Sequence, residues 1–240
     1  PLVPAFDLEV TLPPAGAVRS YARTTDFATG VAAVRWEDDR GKFLRRAFAS
    51  RADDVVALSI RGPGPLGCTL RLARRPVEGQ GGWWPEAIFK DGIADVSVGA
   101  EDRWLTYQSS FRRRWPGSLQ GYEGVARVVP RGGTARTEGG AIVVAGADEI
   151  VVLLRVAPLP DLTRSALAEL KASLGAIDPD FDKLLGRHAE VHGGIFKRSR
   201  LDLGGGAARV LTSEELLAGS SVGNLSRALL EKEYDAGRYA

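Results

Sequence analysis

The sequence predicts a mainly β protein: a large antiparallel β-sandwich followed by an α-helical linker. Three observations carry this. Short runs of alternating apolar and polar residues recur at roughly ten-residue spacing as far as Val156, with Gly, Pro and Asp turn signals between them. Beyond Pro158 the apolar residues recur instead at three- and four-residue steps, and helix caps appear. At 240 residues the chain is long enough to bury a large core. The expected division is residues 1–157 for the sandwich and 158–240 for the linker.

The elements follow in order. Phe6, Leu8, Val10 and Leu12 alternate with Asp7, Glu9 and Thr11, a half-buried strand that Pro13-Pro14-Ala15-Gly16 turns. Val18 to Phe27 and Val31 to Glu37 read as the next strands, and Asp38-Asp39-Arg40-Gly41 turns the latter into Lys42 to Ser50, the clearest hairpin signal in the chain. Val55–Ile60 and Cys68–Ala73 are separated by the Gly-Pro-rich stretch 61–67. A long loop with adjacent tryptophans, Trp83 and Trp84, comes next. Strands resume at Ile93–Val98, Trp104–Ser109, Tyr122–Val129, Thr134–Glu138, Ala141–Val144 and Glu149–Val156. About twelve strands suit two stacked antiparallel sheets.

The helical part starts with Leu162 to Leu174, whose Leu167, Leu170 and Leu174 share a face, and Gly175 ends it. In the next helix Asp178 is the expected cap and Pro179 the first helical residue. Phe181, Leu184, Leu185, His188, Val191, His192, Ile195 and Phe196 then recur on one face, up to Lys197–Arg198, where cations suit the negative end. Leu201-Asp202-Leu203 reads as a short extended segment stopped by three glycines. Thr212-Ser213-Glu214-Glu215 is a capping box, and Asn224 to Tyr239 is a last helix.

Composition narrows the function. Lys and Arg number 32 against 30 Asp and Glu, a balance unlike the basic footprint of nucleic-acid binders. Arg112-Arg113-Arg114-Trp115 is too short a run for a backbone-binding stripe and reads as a solvated loop, while Trp36, Trp104 and Trp115 read as ordinary strand or loop-base residues. The lone Cys68 sits in an apolar strand pattern and reads as a small buried thiol. No run of about 18 apolar residues exists to span a membrane, and no signal peptide is visible. The opening Pro1-Leu2-Val3-Pro4 heads straight into a strand and Met is absent, so a piece of a longer protein is expected.

Candidate chemistry is sparse. His188 and His192, the only histidines, stand at i, i+4 on one helix face, a spacing zinc sites use. The motif is H-A-E-V-H, without the Glu directly after the first His that a zinc protease needs as base. Packing across a domain seam is the expected role, with no metal and no cofactor. Trp83, Trp84 and Glu86 are the candidate substrate-binding residues, because C–H bonds of a sugar ring stack on an indole face; the competing reading has both tryptophans plugging the open end of the sandwich. Asp53-Asp54, Asp91, Asp95 and Glu101-Asp102 supply carboxylates, but sequence spacing places no two across a sugar. No Ser-His-Asp, phosphate-loop or dinucleotide pattern is present.

An ordered set of short motifs carries a resemblance. It runs through Phe6-Asp7-Leu8-Glu9-Val10, then Tyr21-x-Arg23-x-x-Asp26-Phe27 to Ala32, then Phe43 to Val56 with Ser50 and Asp53, then Gly139-Gly140 to Ala147-Asp148-Glu149. Leu185-x-x-His188, Phe196, Leu201-Asp202-Leu203-Gly204 and Tyr234-x-x-Gly237-Arg238-Tyr239 complete it. In this order the chain resembles glycoside hydrolase family 95, typified by inverting α-L-fucosidases, departing from it where Ala47 replaces Glu and Ala52 replaces Pro. The resemblance implies a galactose-mutarotase-like super-sandwich, a helical linker and an (α/α)6 barrel beyond Ala240 that holds the catalytic carboxylates. It implies an oligosaccharide or polysaccharide substrate for the whole enzyme, the barrel as the partner of this part, no nucleic acid, no membrane, and no catalytic residue within these 240. Two alternatives stand beside it: a self-contained sugar-binding sandwich, and the same part of another sandwich-plus-barrel glycosidase or phosphorylase.

Overall fold

The structure, a computed structural model, describes residues 5–75 and 92–239. Ten strands form one antiparallel sheet: β1 (Asp7–Thr11), β2 (Ser20–Asp26), β3 (Val31–Asp38), β4 (Gly41–Ser50), β5 (Val55–Ala73), β6 (Ile93–Glu101), β7 (Trp104–Phe111), β8 (Gly121–Arg131), β9 (Thr134–Glu138) and β10 (Ala141–Leu159). The order is β2-β3-β4-β5-β10-β8-β7-β6, with β1 on β5 and β9 on β10.

Four of the expected strands are halves of two. β5 and β10 each run 19 residues without interruption. The first half of β5 pairs with β4 and with Glu149–Leu154 of β10, and its second half pairs with β1 and with Ile142–Val144. The two long strands therefore belong to both layers of the sandwich, and the Gly-Pro stretch 61–67 is the bend between layers rather than a loop. Register shifts in β10 between Val144 and Glu149 mark the same corner. At Gly62 an added Cβ would come within 2.5 Å of the Phe43 ring, so the bend needs a residue without a side chain.

The inner core lies between the layers and is built from the alternate residues of each strand: Ile60, Leu70, Leu105, Tyr107, Val128, Ile142, Ile150 and Val152 among them. Trp36 stacks on Phe43 with ring centroids 4.9 Å apart. Cys68 is buried here, and burial pushes its thiol up to about 12, so it packs as an apolar group.

The outer face of the large layer carries a second core. Phe48, Val55, Ala57, Val125, Val151 and Leu153 meet Leu170 and Leu174 of α1 (Leu167–Gly175) and Phe181 and Leu184 of α2 (Phe181–Phe196). The helix faces read from the sequence are the buried ones, but both starts differ. Residues 162–166 do not extend α1, because Asp161 accepts hydrogen bonds from the Thr163 N–H and hydroxyl and turns the chain. The cap of α2 is Asp180 rather than Asp178: its extended backbone (φ −79°, ψ 103°) lets the carboxylate accept from the N–H groups of Asp182 and Lys183. Asp178 pairs instead with Lys183. Val191 and Ile195 lie off the buried stripe and are exposed.

After α2, Leu201-Asp202-Leu203 joins no sheet, and the glycines lead into a 3-10 turn (Gly206–Val210). The capping box is present, with Thr212 and Glu215 bonding reciprocally at the start of α3 (Ser213–Ala218). The last helix, α4, is Arg227–Tyr239. Asn224 lies before it, in a bridge with Ser221. Among the described residues no helix is long and apolar enough to cross a membrane.

Candidate functional site

The residues with functional potential gather where α2 and α4 meet the turns at one end of the large layer. Two hairpin turns are involved: residues 27–30 between β2 and β3, and residues 51–54 between β4 and β5. Asp26 shapes the first by accepting from the Ala28 and Thr29 N–H groups. Ser50 and Asp53 shape the second, with the Asp53 N–H donating to Ser50 Oγ at 3.1 Å and the Ser50 hydroxyl donating to Asp53 Oδ2 at 2.8 Å.

Both histidines bind these turns. His188 Nδ1 accepts from the Arg51 N–H at 3.1 Å, which places its proton on Nε2. His192 Nε2 lies 2.8 Å from the Phe27 carbonyl and donates to it. The rings stack on each other at 5.1 Å, and His188 stacks on Phe48 at 5.1 Å. Burial pushes the His188 pKa below its ordinary value, reinforced by His192 and Arg51, so the ring is held neutral. Gly30 has φ +69°, and a Cβ there would stand 2.7 Å from His188 Nε2, so the first turn and the histidine need a glycine between them.

Ion pairs and the C-terminal helix complete the seam. Arg187 grips Asp53 Oδ1 with Nε at 3.0 Å and Nη2 at 2.8 Å. Arg46 lies over the Phe181 ring at 4.5 Å and pairs with Asp182 at 2.8 Å. Tyr239 donates its hydroxyl to the Gly30 carbonyl at 3.2 Å and meets His192 edge-on at 5.8 Å. Arg238 lies over the Phe196 ring at 4.6 Å and donates to the Phe196 carbonyl, supplying at the end of α2 the cation expected of Lys197 and Arg198.

Chemically this is a clasp. One ring nitrogen of each histidine is committed to the backbone of a different turn, and no group of three metal-ligating side chains occurs among the described residues. Asp95 accepts from the Ser110 hydroxyl, and Glu101 pairs with Lys171. Trp83, Trp84 and Glu86 lie outside the described residues.

The sequence reading missed the buried carboxylates. Glu123 accepts from Gln108 Nε2, the Ser165 hydroxyl and the Ala166 N–H. Glu149 accepts from the Ser59 hydroxyl at 2.6 Å and from Arg61 at 2.8 Å, and pairs with Arg131 at 3.2 Å. Glu231 accepts from Leu203 and Gly205 N–H groups and from Arg209, whose bonds hold its carboxyl down at about 2. Glu123 and Glu149 each interrupt an apolar strand run, which was the available signal.

A bent antiparallel sandwich with helices laid on its outer face is the setting for the family match. Residues 3–158 match the family described as glycosyl hydrolase family 65, N-terminal domain, and the chain belongs to that family. No curated protein matches the sequence. Among solved structures the fold is similar to a human-microbiome protein described as a kojibiose phosphorylase, with TM-score 0.52 and 10% identity over 80% of this chain. The chain spans 28% of the length of that protein. The match supports a glycoside hydrolase sandwich of the family 65 type and not specifically the family 95 fucosidases that the motifs resemble. The motif residues described here, Asp26, Gly30, Ser50, Asp53, His188 and Tyr239, form turns and the clasp. Their roles in this chain are in turns and in docking the helices.

Proposed function

We propose that this chain is the non-catalytic sandwich and linker of an enzyme that cleaves glycosidic bonds, holding a helical barrel that carries the catalytic carboxylates. The observation that supports this reading best is the clasp: His188, His192, Arg187 and Tyr239 tie α2 and α4 to the sandwich turns, so whatever follows α4 is oriented by the sandwich. The linker also presents Val210, Leu211, Leu217, Val222 and Leu225 to solvent. That unpartnered apolar surface is suited to packing against the barrel.

In an inverting mechanism, a protonated carboxyl of the barrel would serve the leaving oxygen while water attacks the opposite face of the sugar. In a phosphorylase, inorganic phosphate takes the place of that water. The ordered motifs favour an α-L-fucosidase-like hydrolase; the family 65 assignment and the description of the similar structure favour a phosphorylase or hydrolase of that type. Incubating the full-length protein with α-fucosides and α-glucosides, with and without inorganic phosphate, separates them. Free fucose independent of phosphate supports the first, and a phosphate-dependent sugar phosphate supports the second. No turnover of any glycoside in the panel would remove the enzymatic reading.

A further inference from the structure

The loop joining β7 to β8, residues 112–120, carries a feature that a supporting role does not use. Trp115, read from sequence as an ordinary loop-base residue, is 67% exposed. Its position is built. The Ser118 N–H and hydroxyl donate to the Trp115 carbonyl at 3.0 and 2.8 Å, and the Trp115 N–H donates to Ser118 Oγ at 3.1 Å. Pro116 and Gly117, the latter at φ +76°, fill the middle of this turn, as a type II turn requires. A rigid turn therefore holds a large aromatic face in water.

Three cations precede it. Arg112, Arg113 and Arg114 are all exposed. The Arg112 N–H and the Arg114 Nε donate only to the carbonyls of Gly92 and Phe111, and among the described residues no carboxylate pairs with any of the three guanidinium groups. Elsewhere in the molecule Arg127, Arg155, Arg187 and Arg238 are each held by carbonyls or a carboxylate. The loop also faces a definite direction. Ala49, Val56, Leu154 and Ala126 form one row across the sheet, and the hairpin turns of the clasp lie at that row. Gly121 lies about 17 Å farther along β8 in the same direction. The tryptophan turn thus projects from the end of the sandwich to which the linker helices are clasped.

We propose that the Trp115 turn binds an acidic oligosaccharide, one bearing uronate or sulfate groups, with the indole stacked on the C–H face of a sugar ring and Arg112, Arg113 and Arg114 pairing the anions. An anion alone would account for the arginines but not for a pre-organised, exposed indole beside them. A neutral glycan would account for the indole but leave the cations unused. The choice of a sugar over an acidic peptide rests on the carbohydrate reading above, but binding needs no turnover, so the two can fail separately.

Calorimetric titration of the 240-residue chain with tetragalacturonate, a heparin tetrasaccharide, maltotetraose and a tetraglutamate peptide tests it. At least one acidic sugar binds, and maltotetraose and tetraglutamate bind at least about tenfold more weakly. W115A and the triple variant R112A/R113A/R114A each weaken binding about tenfold or more, with melting temperatures unchanged because all four side chains are exposed. Added salt weakens the wild type and has little effect on the triple variant. Binding by neither acidic sugar overturns the proposal, as does tetraglutamate binding as tightly as the sugars, or W115A binding as tightly as the wild type.

Discussion

Glu123 and Arg127 stand on one face of β8, four positions apart, and hold opposite ends of helix α1. The Glu123 carboxylate accepts from the Ser165 hydroxyl and the Ala166 N–H at the start of the helix. Arg127 Nη1 donates to the carbonyls of Leu174, Gly175 and Ile177 at its end. Four residues of strand span about 13 Å, and a nine-residue helix spans about 13.5 Å, so the strand measures the helix. Each charge also opposes the nearer pole of the helix dipole.

Replacing the buried Glu123 with Ala empties its site and leaves the half-buried Gln108 and Ala166 and the exposed Ser165 without their shared acceptor. The expected loss is about 3 kcal/mol by urea denaturation. Arg127→Ala, at the more exposed end, costs about 1 to 2 kcal/mol. Equal losses below about 0.5 kcal/mol would show that α1 docks through its leucines alone.

Glycine at position 30 is a second test of close packing. Gly30→Ala combines a positive φ with a Cβ pressed against His188 Nε2, and should cost about 2 kcal/mol or more. Hydrogen exchange should quicken at the end of α4 as well as in the turn, because the Gly30 carbonyl accepts from Tyr239.

Fold class, the two-layer arrangement and the buried faces of α1 and α2 were legible as periodicity, since a face that must be buried repeats at 2 or 3.6 residues. The corners of β5 and β10 were not. A Gly-Pro stretch has the same composition whether it forms a loop or bends a strand whose partner bends with it, and only the pairing of β5 with β10 decides. The start of α1 was hidden for a related reason: its acceptor, Glu123, comes from a distant strand. At the clasp, the i, i+4 histidines were visible as a pair, while their partners, the backbone of Arg51 and Phe27, have no side-chain signature.

Acid should loosen the clasp. The folded His188 pKa lies below its ordinary 6.5, so the neutral ring is favoured by folding. Its contribution is complete above pH 6.5 and declines as pH falls through the lowered folded value, since the unfolded chain takes the proton first. The groups facing the ring include His192, Arg51 and Asp53. Melting temperature followed from pH 8 downward should drop in this range, and His188→Gln should be less stable at pH 8 but flatter with pH.

A separate transition belongs to the C-terminal helices. Arg209 and the N–H groups of Leu203 and Gly205 lower Glu231 from 4.5 to about 2. The stability it gives is complete above pH 4.5 and is lost as pH falls toward about 2. Glu231→Gln removes that acid slope and leaves the His188 transition in place. Exchange measured at α4 amides in acid distinguishes the two.

On the proposed function, these 240 residues support glycoside cleavage without performing it. The most direct measurement assays the 240-residue chain beside the complete product of its gene on the same α-glycoside panel, with and without phosphate. Turnover by the complete product and none by the 240 residues is the predicted result. Turnover by the 240 residues alone would contradict it.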